Sequence, residues 1–340
     1  MLIERLLIVG HGSIGQRHLR IARELLPKTD IRVLRHQKYE SVPEHANGCM
    51  SSLDEALAFA PQAAVIASPS TFHMQTAQPL ANAGVHLLVE KPLAASYDGV
   101  ATLLASCSAH DSVLMTAYNL RFLPSLQVYR KTIQSGVIGK VVSVRCEIGQ
   151  YLPSWRPGSD YRQGVSASRT LGGGALLELS HEIDYLRWIF GEVAWVRASL
   201  SKQSNLEIDV EDTAHLILGF EPDADGRELI ANLNMDLLRH DTTRQCLAIG
   251  EHGSLRWNGL TGIVELFLAD GTAWKKIFEH TPHLDDCYIA EWQHFLACIR
   301  DGIAPLVSGQ DGLAALNIIE ASRHSATITP ATKVMGHVGL

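Results

Sequence analysis

The chain has 340 residues, of which 46% are apolar and 19% are charged, a balance that is typical of globular proteins with an extensive core. Its formal net charge of -7 and its lack of a long basic run exclude the electrostatic footprint of a protein that binds nucleic acid or an anionic membrane. The length predicts two domains or one large one, and a small molecule or another protein chain is the expected partner.

The six cysteines are scattered, without a CxxC pair or a spacing that is typical of zinc sites or disulfide frameworks. A reducing cytoplasm is therefore the expected compartment. The first apolar run covers residues 6–9, which is too short for a signal peptide or a membrane span. The mixed group of His, Asp and Cys at residues 283–287 matches no regular metal-binding pattern, so we expect no metal ion.

Between residues 5 and 120, short apolar runs alternate with helical patterns, an order that is typical of βαβ units around a parallel sheet. The runs are continuous because helices cover both faces of such a sheet. The predicted strands cover residues 6–9, 31–34, 63–67, 85–89 and 113–116. The predicted helices cover residues 14–26, 53–60, 71–83 and 96–109.

After about residue 140 the period changes, because apolar residues mostly occupy every second position in 142–148 and 229–237. This alternation predicts an antiparallel sheet with one buried face. Further strands are predicted at residues 193–200, 213–220, 245–250 and 262–268, and helices at 174–190, 289–302 and 309–327. The change of period places a domain boundary near residue 120, which divides the chain into 1–120 and 121–340.

The segment Gly10-His-Gly12-Ser13-Ile14-Gly15 lies between the first strand and the first predicted helix. In this context a GxGxxG motif predicts a dinucleotide site. Gly10 allows the tight turn, Gly12 allows the backbone to approach a pyrophosphate, and Gly15 allows close packing of helix and strand. The amide groups at the start of the helix then bind the anion. A glycine-rich turn without a ligand is the alternative interpretation.

Arg35 occupies the end of the second strand, where NAD-binding proteins usually carry an acidic residue that accepts hydrogen bonds from the ribose. It is followed by His36 and Lys38. A guanidinium group cannot accept those bonds but can pair with a 2′-phosphate, so NADP is favoured over NAD. Stacking of Arg35 on the adenine is compatible with either cofactor.

The motif Glu90-Lys91-Pro92 directly follows a predicted buried strand, at the edge where ligands of doubly wound sheets bind. Pro92 favours an extended backbone at Lys91, which directs the lysine into the crevice. There Lys91 can donate a hydrogen bond to a substrate hydroxyl or to the nicotinamide ribose. A solvated lysine at the end of a strand is the alternative.

Taken together, these motifs resemble the glucose-fructose oxidoreductase / inositol dehydrogenase family, usually written Gfo/Idh/MocA. The resemblance extends from about residue 6 to residue 328. The other matching elements are Ala67-Ser-Pro-Ser-Thr-Phe-His73, Ala83-Gly84, Tyr118-Asn-Leu-Arg-Phe122, Gly136-x-Ile-Gly-Lys140, Gly172-Gly-Gly174 with Glu178, His181 and Asp184, and Glu291-x-x-x-Phe295.

This resemblance implies an α/β protein with two domains. Residues 1–120 are expected to form a Rossmann domain, a doubly wound parallel sheet that binds the dinucleotide. Residues 121–340 are expected to form an α+β domain with a large, open, mainly antiparallel sheet that binds the substrate. The same resemblance implies homodimers or homotetramers that associate through this sheet.

The resemblance also implies a catalytic set. Lys91 matches the family's catalytic-site lysine, and His181 matches the histidine that is the general base in many members. Glu178 lies three residues before His181, whereas the family's carboxylate usually lies four before, and a helix would keep either spacing on one face. Asp184 either orients the imidazole or is a structural partner, and a packed helix histidine is the alternative for His181.

Two further groups of residues are predicted to bind ligands. The predicted cofactor contacts are Gly10, Gly12, Ser13, Ile14, Gly15, Arg35, Ser68, His73, Glu90, Lys91 and Asn119. The predicted substrate contacts are Lys91, Arg121, Trp155, Arg162 and His181. Trp155 and Arg162 belong to a polar and aromatic segment that either covers the substrate or forms a surface loop.

The predicted function is hydride transfer between a nicotinamide cofactor and a secondary alcohol or ketone carbon of a sugar, cyclitol or sugar derivative. Such a reaction needs a base for the hydroxyl proton and a donor for the oxygen, roles that suit His181 and Lys91. The alternatives are a glycosidase that oxidises and re-reduces its substrate on a tightly held NAD, and a non-catalytic regulator that binds a dinucleotide.

Overall fold

The computed structural model describes residues 3–35 and 41–328, so His36 and Lys38 lie outside the described residues. Within these ranges the first sheet has six parallel strands in the order β3-β2-β1-β4-β5-β6, which is the order of a doubly wound dinucleotide-binding sheet. The strands are β1 (Arg5–Val9), β2 (Asp30–Leu34), β3 (Gly48–Met50), β4 (Ala63–Ile66), β5 (His86–Glu90) and β6 (Leu114–Ala117).

Helices separate the strands of this sheet. They are α1 (Ser13–Leu25), α2 (Leu53–Phe59), α3 (His73–Asn82) and α4 (Val100–Ala109). All residues of β4 and β6 are buried, because a parallel sheet is covered on both faces. The predicted Rossmann sheet is therefore confirmed, with β3 as an additional short edge strand.

The second sheet has eight strands among the described residues, in the order β14-β13-β12-β11-β7-β10-β9-β8. The strands are β7 (Val141–Gly149), β8 (Val193–Ser201), β9 (Thr213–Phe220), β10 (Ile230–Asp236), β11 (Thr243–Gly250), β12 (Gly253–Asn258), β13 (Ile263–Leu268) and β14 (Lys275–Glu279). Neighbouring strands are antiparallel except for β7 and β10, which run parallel. The prediction of a mainly antiparallel sheet is confirmed.

One face of this sheet is covered and the other is open. The later helices are α5 (Pro124–Gln134), α6 (Ala175–Glu178), α7 (His181–Phe190), α8 (Asp286–Asp301) and α9 (Gly309–Ile328). Four of them, α5, α6, α7 and α9, contact strands of this sheet. On β10 the side chains of Ala231, Leu233 and Met235 are buried, whereas those of Asn232 and Asn234 are exposed. The alternation predicted from the sequence thus separates a packed face from an uncovered one.

The carboxyl-terminal segments return to the first sheet. Helix α8 packs against α1, where Asp285 accepts a hydrogen bond from Arg20 and forms an ion pair with Arg17. The N–H of Thr116 in β6 donates to the carbonyl of Val307 at 3.0 Å. These contacts cross the predicted division at residue 120, and that boundary stays a prediction.

Two details differ from the predicted elements. The prediction omitted β3, β12, β14 and helix α5, although Pro124 at the first position of α5 is a typical helix start. The single helix predicted over 174–190 is wrong, because the chain breaks at Leu179 and Ser180 into α6 and α7. Glu178 and His181 therefore do not share a helix face.

No helix among residues 3–35 and 41–328 is long and apolar enough to cross a membrane. In the same ranges no group of three or more His, Cys, Asp or Glu side chains is arranged to hold a metal ion.

Candidate active site

Three glycines form the turn between β1 and α1. Gly10 has a φ of 92°, and a Cβ atom there would lie 2.7 Å from the carbonyl oxygen of Ala67. A Cβ atom on Gly15 would lie 2.3 Å from the carbonyl oxygen of Gly10, so strand and helix pack too closely for a side chain. A Cβ atom on Gly12 would meet no described atom within 4 Å, so the middle of the turn faces open space.

The amino end of α1 suits an anion. Ser13 and Ile14 begin the helix after Gly12, and this described segment has neither a side-chain cap nor an acidic residue in its first turn. Amide groups at a helix start attract negative charge. The open space before Gly12 and these amides fit the pyrophosphate of a dinucleotide.

Arg35 lies beside the glycine turn, close to His11. Its backbone N–H donates to the carbonyl of Met50 at 3.0 Å, whereas its guanidinium makes no hydrogen bond to a described residue. Burial, and secondly the positive charge of Arg35, lower the pKa of His11. The two side chains therefore lie together at the edge of the sheet where the adenosine ribose binds in this type of fold.

The segment after β4 carries three buried hydroxyl oxygens without a hydrogen-bond partner among the described residues, those of Ser68, Ser70 and Thr71. Buried polar groups normally have partners, so these oxygens fit a site that a polar ligand completes. The nitrogens of His73 lie 2.8 and 3.2 Å from the carbonyl oxygens of Ser68 and Leu93. Both nitrogens of His73 thus face protein carbonyls, and the expected cofactor contact of His73 stays a prediction.

Lys91 follows β5 at the carboxyl edge of the first sheet and connects the two sheets. Its Nζ donates to the carbonyl oxygen of Glu178 at the end of α6, at 2.8 Å. Its backbone N–H donates to the carboxylate of Glu90 at 3.1 Å. The ammonium group is therefore held at the amino end of α7.

Glu90 is held from behind by a buried chain of hydrogen bonds. Trp292 Nε1 donates to His18 Nδ1 at 2.9 Å, and His18 Nε2 lies 2.8 Å from Glu90 Oε1. Since an indole can only donate, Nδ1 accepts and the proton on Nε2 is donated to Glu90. Burial opposes ionisation, but the bond from His18 prevails and lowers the pKa of Glu90. Both carboxylate oxygens thus have protein partners, one of them the backbone of Lys91, and a cofactor contact of Glu90 stays a prediction.

His181 is the first residue of α7 and lies next to the Lys91 ammonium. Its Nδ1 is buried and has no hydrogen-bond partner among the described residues. Its ring meets the ring of Tyr118 edge-on, with centroids 5.6 Å apart. Burial, followed by the charges of Lys91 and Arg244, lowers the pKa of His181 well below its ordinary value. The imidazole is therefore neutral at physiological pH and able to accept a proton.

Glu178 contacts Lys91 through its backbone carbonyl and not through its side chain. Its carbonyl oxygen accepts the Lys91 ammonium, whereas its half-buried carboxylate makes no hydrogen bond to a described residue. Because α6 ends at Glu178 and α7 begins at His181, the shortened spacing does not place the carboxylate beside the imidazole on one helix. A catalytic role of the Glu178 carboxylate stays a prediction.

Arg121 and Asp184 form a buried ion pair away from the imidazole. Arg121 Nε and Nη2 donate to the two carboxylate oxygens of Asp184 at 2.9 and 2.6 Å. Arg121 also donates to the carbonyl of Leu306 and to the carboxylate of Asp311. Since each terminal nitrogen already has a protein acceptor, Arg121 does not have the free edge that a substrate contact needs. Asp184 is accordingly the structural partner of Arg121 and does not orient His181.

The other residues that we predicted to contact cofactor or substrate differ in how far they are buried. Asn119 is buried beside the end of β6, and its side-chain amide has no hydrogen-bond partner in the part of the chain that the structure describes. Trp155 Nε1 donates to the carbonyl of Gln150 at 3.1 Å, within the loop after β7. Arg162 is exposed and pairs with Asp160 and Glu207. The Arg162 guanidinium is therefore already paired with two carboxylates, and its contact with the substrate stays a prediction.

Sequence reasoning missed Glu182 and Arg244. Arg244 Nε donates to Glu182 Oε1 at 2.8 Å, and Glu182 is completely buried directly after His181. A signal was available, because Arg244 shares the alternation of Cys246 and Ala248, whose side chains are buried. An arginine at an inward position of a strand indicates an ion pair or a ligand.

Two family models match this chain. One, the NAD-binding Rossmann fold of an oxidoreductase family, matches residues 5–118, and the other, the C-terminal alpha/beta domain of that family, matches residues 130–330. The chain belongs to the Gfo/Idh/MocA oxidoreductase family. The family resemblance predicted from the motifs is thereby confirmed, together with an NAD-binding Rossmann domain.

The curated relatives of this family member include sugar and cyclitol dehydrogenases. Levoglucosan dehydrogenase from Pseudarthrobacter phenanthrenivorans is 33% identical over 138 residues, which cover 40% of this chain and 35% of that protein. Inositol 2-dehydrogenase from Rhizobium meliloti is 26% identical over 331 residues, which cover 94% of this chain and 95% of that protein. For three of the curated relatives, the matched region spans 35%, 54% and 57% of the relative's own length.

Solved structures of the family share the fold. A levoglucosan dehydrogenase in complex with NADH and L-sorbose has a TM-score of 0.81 and 21% identity, and the match covers 95% of this chain and 96% of that one. The WlbA dehydrogenase from Bordetella pertussis, in complex with NADH and UDP-GlcNAcA, has a TM-score of 0.76 and 24% identity, with 95% and 96% covered. Both confirm the predicted pairing of a Rossmann sheet with a second, mainly antiparallel sheet.

Proposed function

We propose that this protein is an NAD(P)-dependent dehydrogenase that acts on a CH–OH group of a sugar, cyclitol or sugar derivative. The observation that carries the proposal is the meeting of Lys91 and His181. Lys91 reaches from the first sheet to the carbonyl of Glu178, and the neutral His181 begins the next helix with an unpartnered nitrogen. The names of the relatives support the substrate class, since they include inositol and levoglucosan dehydrogenases.

In this mechanism His181 takes the hydroxyl proton of the substrate. A neutral imidazole accepts a proton, and burial, followed by the charges of Lys91 and Arg244, lowers the pKa of His181 and so favours this neutral form. Its packing against Tyr118 holds the ring in one orientation. In the reverse direction the protonated ring returns the proton to a ketone oxygen.

Lys91 stabilises the charge that develops on the substrate oxygen. Its ammonium group has three donor protons, of which one is directed at the Glu178 carbonyl, so the others remain for the substrate. A donor already in place needs little reorganisation as negative charge develops on the oxygen. The nicotinamide, when bound, accepts the hydride.

The test is a panel of cyclitols, sugars, sugar acids and nucleotide sugars, assayed with NAD and NADP by absorbance of the reduced nicotinamide. We expect turnover of at least one compound, and a decrease of kcat/KM by about 100- to 10,000-fold in His181→Gln and in Lys91→Met. Cofactor affinity, measured by fluorescence titration with NADH and NADPH, should stay within a few-fold for His181→Gln.

Matched controls are His324→Gln and Lys202→Met, which alter exposed side chains outside the candidate site. Full activity of both His181→Gln and Lys91→Met would contradict the assigned roles. Cofactor that co-purifies and does not exchange would favour the glycosidase alternative. Stoichiometric cofactor binding without turnover across the panel would favour the regulator.

We further propose that NADP is the preferred cofactor. The support is the Arg35 guanidinium beside His11, which makes no hydrogen bond or ion pair with a residue in 3–35 or 41–328, so that a 2′-phosphate would find two nitrogen groups there. Arg35→Ala should weaken NADPH binding by about 10- to 100-fold and leave NADH binding nearly unchanged. Arg32→Ala, on the same strand, is the control, since Arg32 already pairs with Asp30. Equal losses for both cofactors would contradict the preference.

We also propose that the open face of the second sheet binds a second copy of this chain. This face has a concave region of about 620 Å³ lined by polar side chains such as Arg145, Asn232 and Gln245, and Ile217 is 40% exposed on the neighbouring strand β9. Light scattering should show a dimer or tetramer. Ile217→Asp should shift it toward the monomer, whereas Leu284→Asp, at an exposed position outside the sheet, should not.

A further inference from the structure

Arg244 lies on the covered face of the second sheet, at the edge that faces the Lys91 ammonium. It pairs with Ile148 across strands β11 and β7, one pair before the ends of the two strands' contact at Thr243 and Gly149. Its side chain points to the side of Cys246, toward helix α7. The guanidinium of Arg244, a permanent cation, therefore lies near His181, the residue that we propose as the base.

The protein holds this arginine by one nitrogen. Glu182 accepts the hydrogen bond from Nε, and a Cβ atom on Gly259 would lie 2.9 Å from Cδ of Arg244, so the stem is closely confined. The two terminal nitrogens make no hydrogen bond to any residue in 3–35 or 41–328. The side chain is 21% exposed, although Glu182 is completely buried. The free Nη edge of the guanidinium is thus the part that remains accessible.

Each cation near the base has a carboxylate beside it, Glu90 beside Lys91 and Glu182 beside Arg244. The positive charges of Lys91 and Arg244 both act on His181, and both also act on Glu182. Glu182 is the carboxylate paired with Arg244, and burial, opposed by the charge of Arg244, raises its pKa. A neutral polyol would offer the terminal nitrogens of Arg244 no charged acceptor, whereas an anionic substrate would.

We propose that the free edge of Arg244 binds a carboxylate of the substrate, so that the substrate is a sugar acid. This inference rests on the proposed dehydrogenase function and adds the charge of its substrate. A guanidinium binds the two oxygens of a carboxylate or a phosphate with paired hydrogen bonds. We favour the carboxylate because Arg244 donates to Glu182, the residue directly after His181, so that the bound anion would lie close to the carbon that reacts, as the carboxylate of a sugar acid does.

The test compares ligands of equal shape and different charge. Wild-type protein saturated with reduced cofactor is titrated with three hexuronates (gluco, galacto and manno), with the corresponding hexoses and with the hexose 6-phosphates, by calorimetry. We expect at least one hexuronate to bind 10-fold or more tightly than its hexose and its 6-phosphate. Arg244→Gln should remove that advantage and leave hexose binding within about two-fold.

Two further variants separate binding from folding. Arg244→Lys keeps the charge but loses the paired donors, so it should retain part of the advantage. The double variant Arg244→Gln/Glu182→Gln removes both members of the buried pair, so it avoids an unpaired carboxylate and should lose the advantage as well. Arg227→Gln, a surface arginine that pairs with Glu251, is the control with unchanged binding.

The outcomes are distinct. Tighter binding of a hexose 6-phosphate than of the hexuronate would show that Arg244 binds a phosphate, and would overturn the proposal of a sugar acid. Equal binding of hexuronate and hexose by the wild type, or an undiminished advantage in Arg244→Gln, would overturn the anion site itself. Since the readout is binding, absence of turnover would contradict the proposed dehydrogenase function without affecting this result. Where a hexuronate is turned over, Arg244→Gln should raise KM more than it lowers kcat.

Discussion

Two arginines flank helix α7, and the protein uses them in opposite ways. Arg121 lies before α5 and pairs with Asp184, and Arg244 lies on β11 and pairs with Glu182. Both acidic partners are buried and lie two residues apart. Arg121 is 2% exposed and donates from all three side-chain nitrogens, whereas Arg244 is 21% exposed and donates from one.

The difference indicates which cation is structural. A guanidinium whose three nitrogens all meet protein acceptors ties chain segments together, and Arg121 joins α7 to the Leu306 carbonyl and to α9 through Asp311. Although burial opposes it, the charge of Arg121 and the bond from Arg187 lower the pKa of Asp311 to about 2. A guanidinium with unused donors at a cleft is available to a ligand. Hydrogen-bond saturation, more than residue type, separates the two roles.

The largest expected effect is the loss of stability when Arg121 is replaced. Arg121→Met leaves Asp184 buried without its partner, which costs about 3–5 kcal/mol of stability. We expect a corresponding decrease in the free energy of unfolding in urea. Arg130→Met is the matched control, because Arg130 also lies over the ring of Trp188 but makes one hydrogen bond, to a carbonyl. Equal losses in the two variants would show that the ion pair carries no special stability.

The stability of the protein should depend on pH through a buried carboxyl group that has no hydrogen-bond partner among the described residues. Glu291 on α8 is completely buried, and neither carboxylate oxygen has a hydrogen-bond partner among the described residues. Burial and the negative charge of Glu90 raise the pKa of Glu291 well above its ordinary value. The folded protein therefore retains a proton that the unfolded chain releases, and stability falls as pH rises above the ordinary carboxyl pKa, by ~1.4 kcal/mol per pH unit up to the raised pKa.

Glu291→Gln removes this pH dependence. The variant and the wild type should be similarly stable near pH 4, and the variant should become increasingly more stable toward pH 8. Unfolding in urea at several pH values measures the difference. Glu24→Gln, which alters an exposed carboxylate of the adjacent helix α1, is the control. A difference between variant and wild type that stays constant with pH would contradict the prediction.

The smallest expected effect concerns the chain of bonds behind Lys91. Trp292→Phe keeps an aromatic ring but removes the donor to His18, at a cost of about 1 kcal/mol. Because His18 then no longer has a fixed tautomer, Glu90 and Lys91 lose alignment, and kcat should fall a few-fold with little change in cofactor affinity. Trp257→Phe is the control, because it removes a similar buried hydrogen bond, to Ser125, that is not part of the series Trp292–His18–Glu90. Trp257→Phe should lower the free energy of unfolding by a similar amount and leave kcat unchanged. An equal loss of kcat in both variants would contradict the idea that Trp292 positions Lys91.

Much of the fold was predictable because its signals are local. The glycine turn at residues 10–15 and the continuous apolar strands determine the parallel sheet, and the alternation in 142–148 and 229–237 determines the second one. The break between α6 and α7 was not predictable, because an uninterrupted helical pattern continues through Leu179 and Ser180. The parallel pairing of β7 with β10 depends on strand order, which no local period records.

The sequence by itself determined the family, the dinucleotide turn and the two residues, Lys91 and His181, that we propose as catalytic, since each lies in a short motif with its own backbone requirement. Only the tertiary structure decided the roles of the arginines, because each meets its acid across 63 or 62 residues of chain. A guanidinium is equally able to bind a substrate or a buried carboxylate, and what it binds depends on which acceptors the folded chain brings to its nitrogens. Within residues 3–35 and 41–328, Arg121 meets four such acceptor atoms and Arg244 meets one.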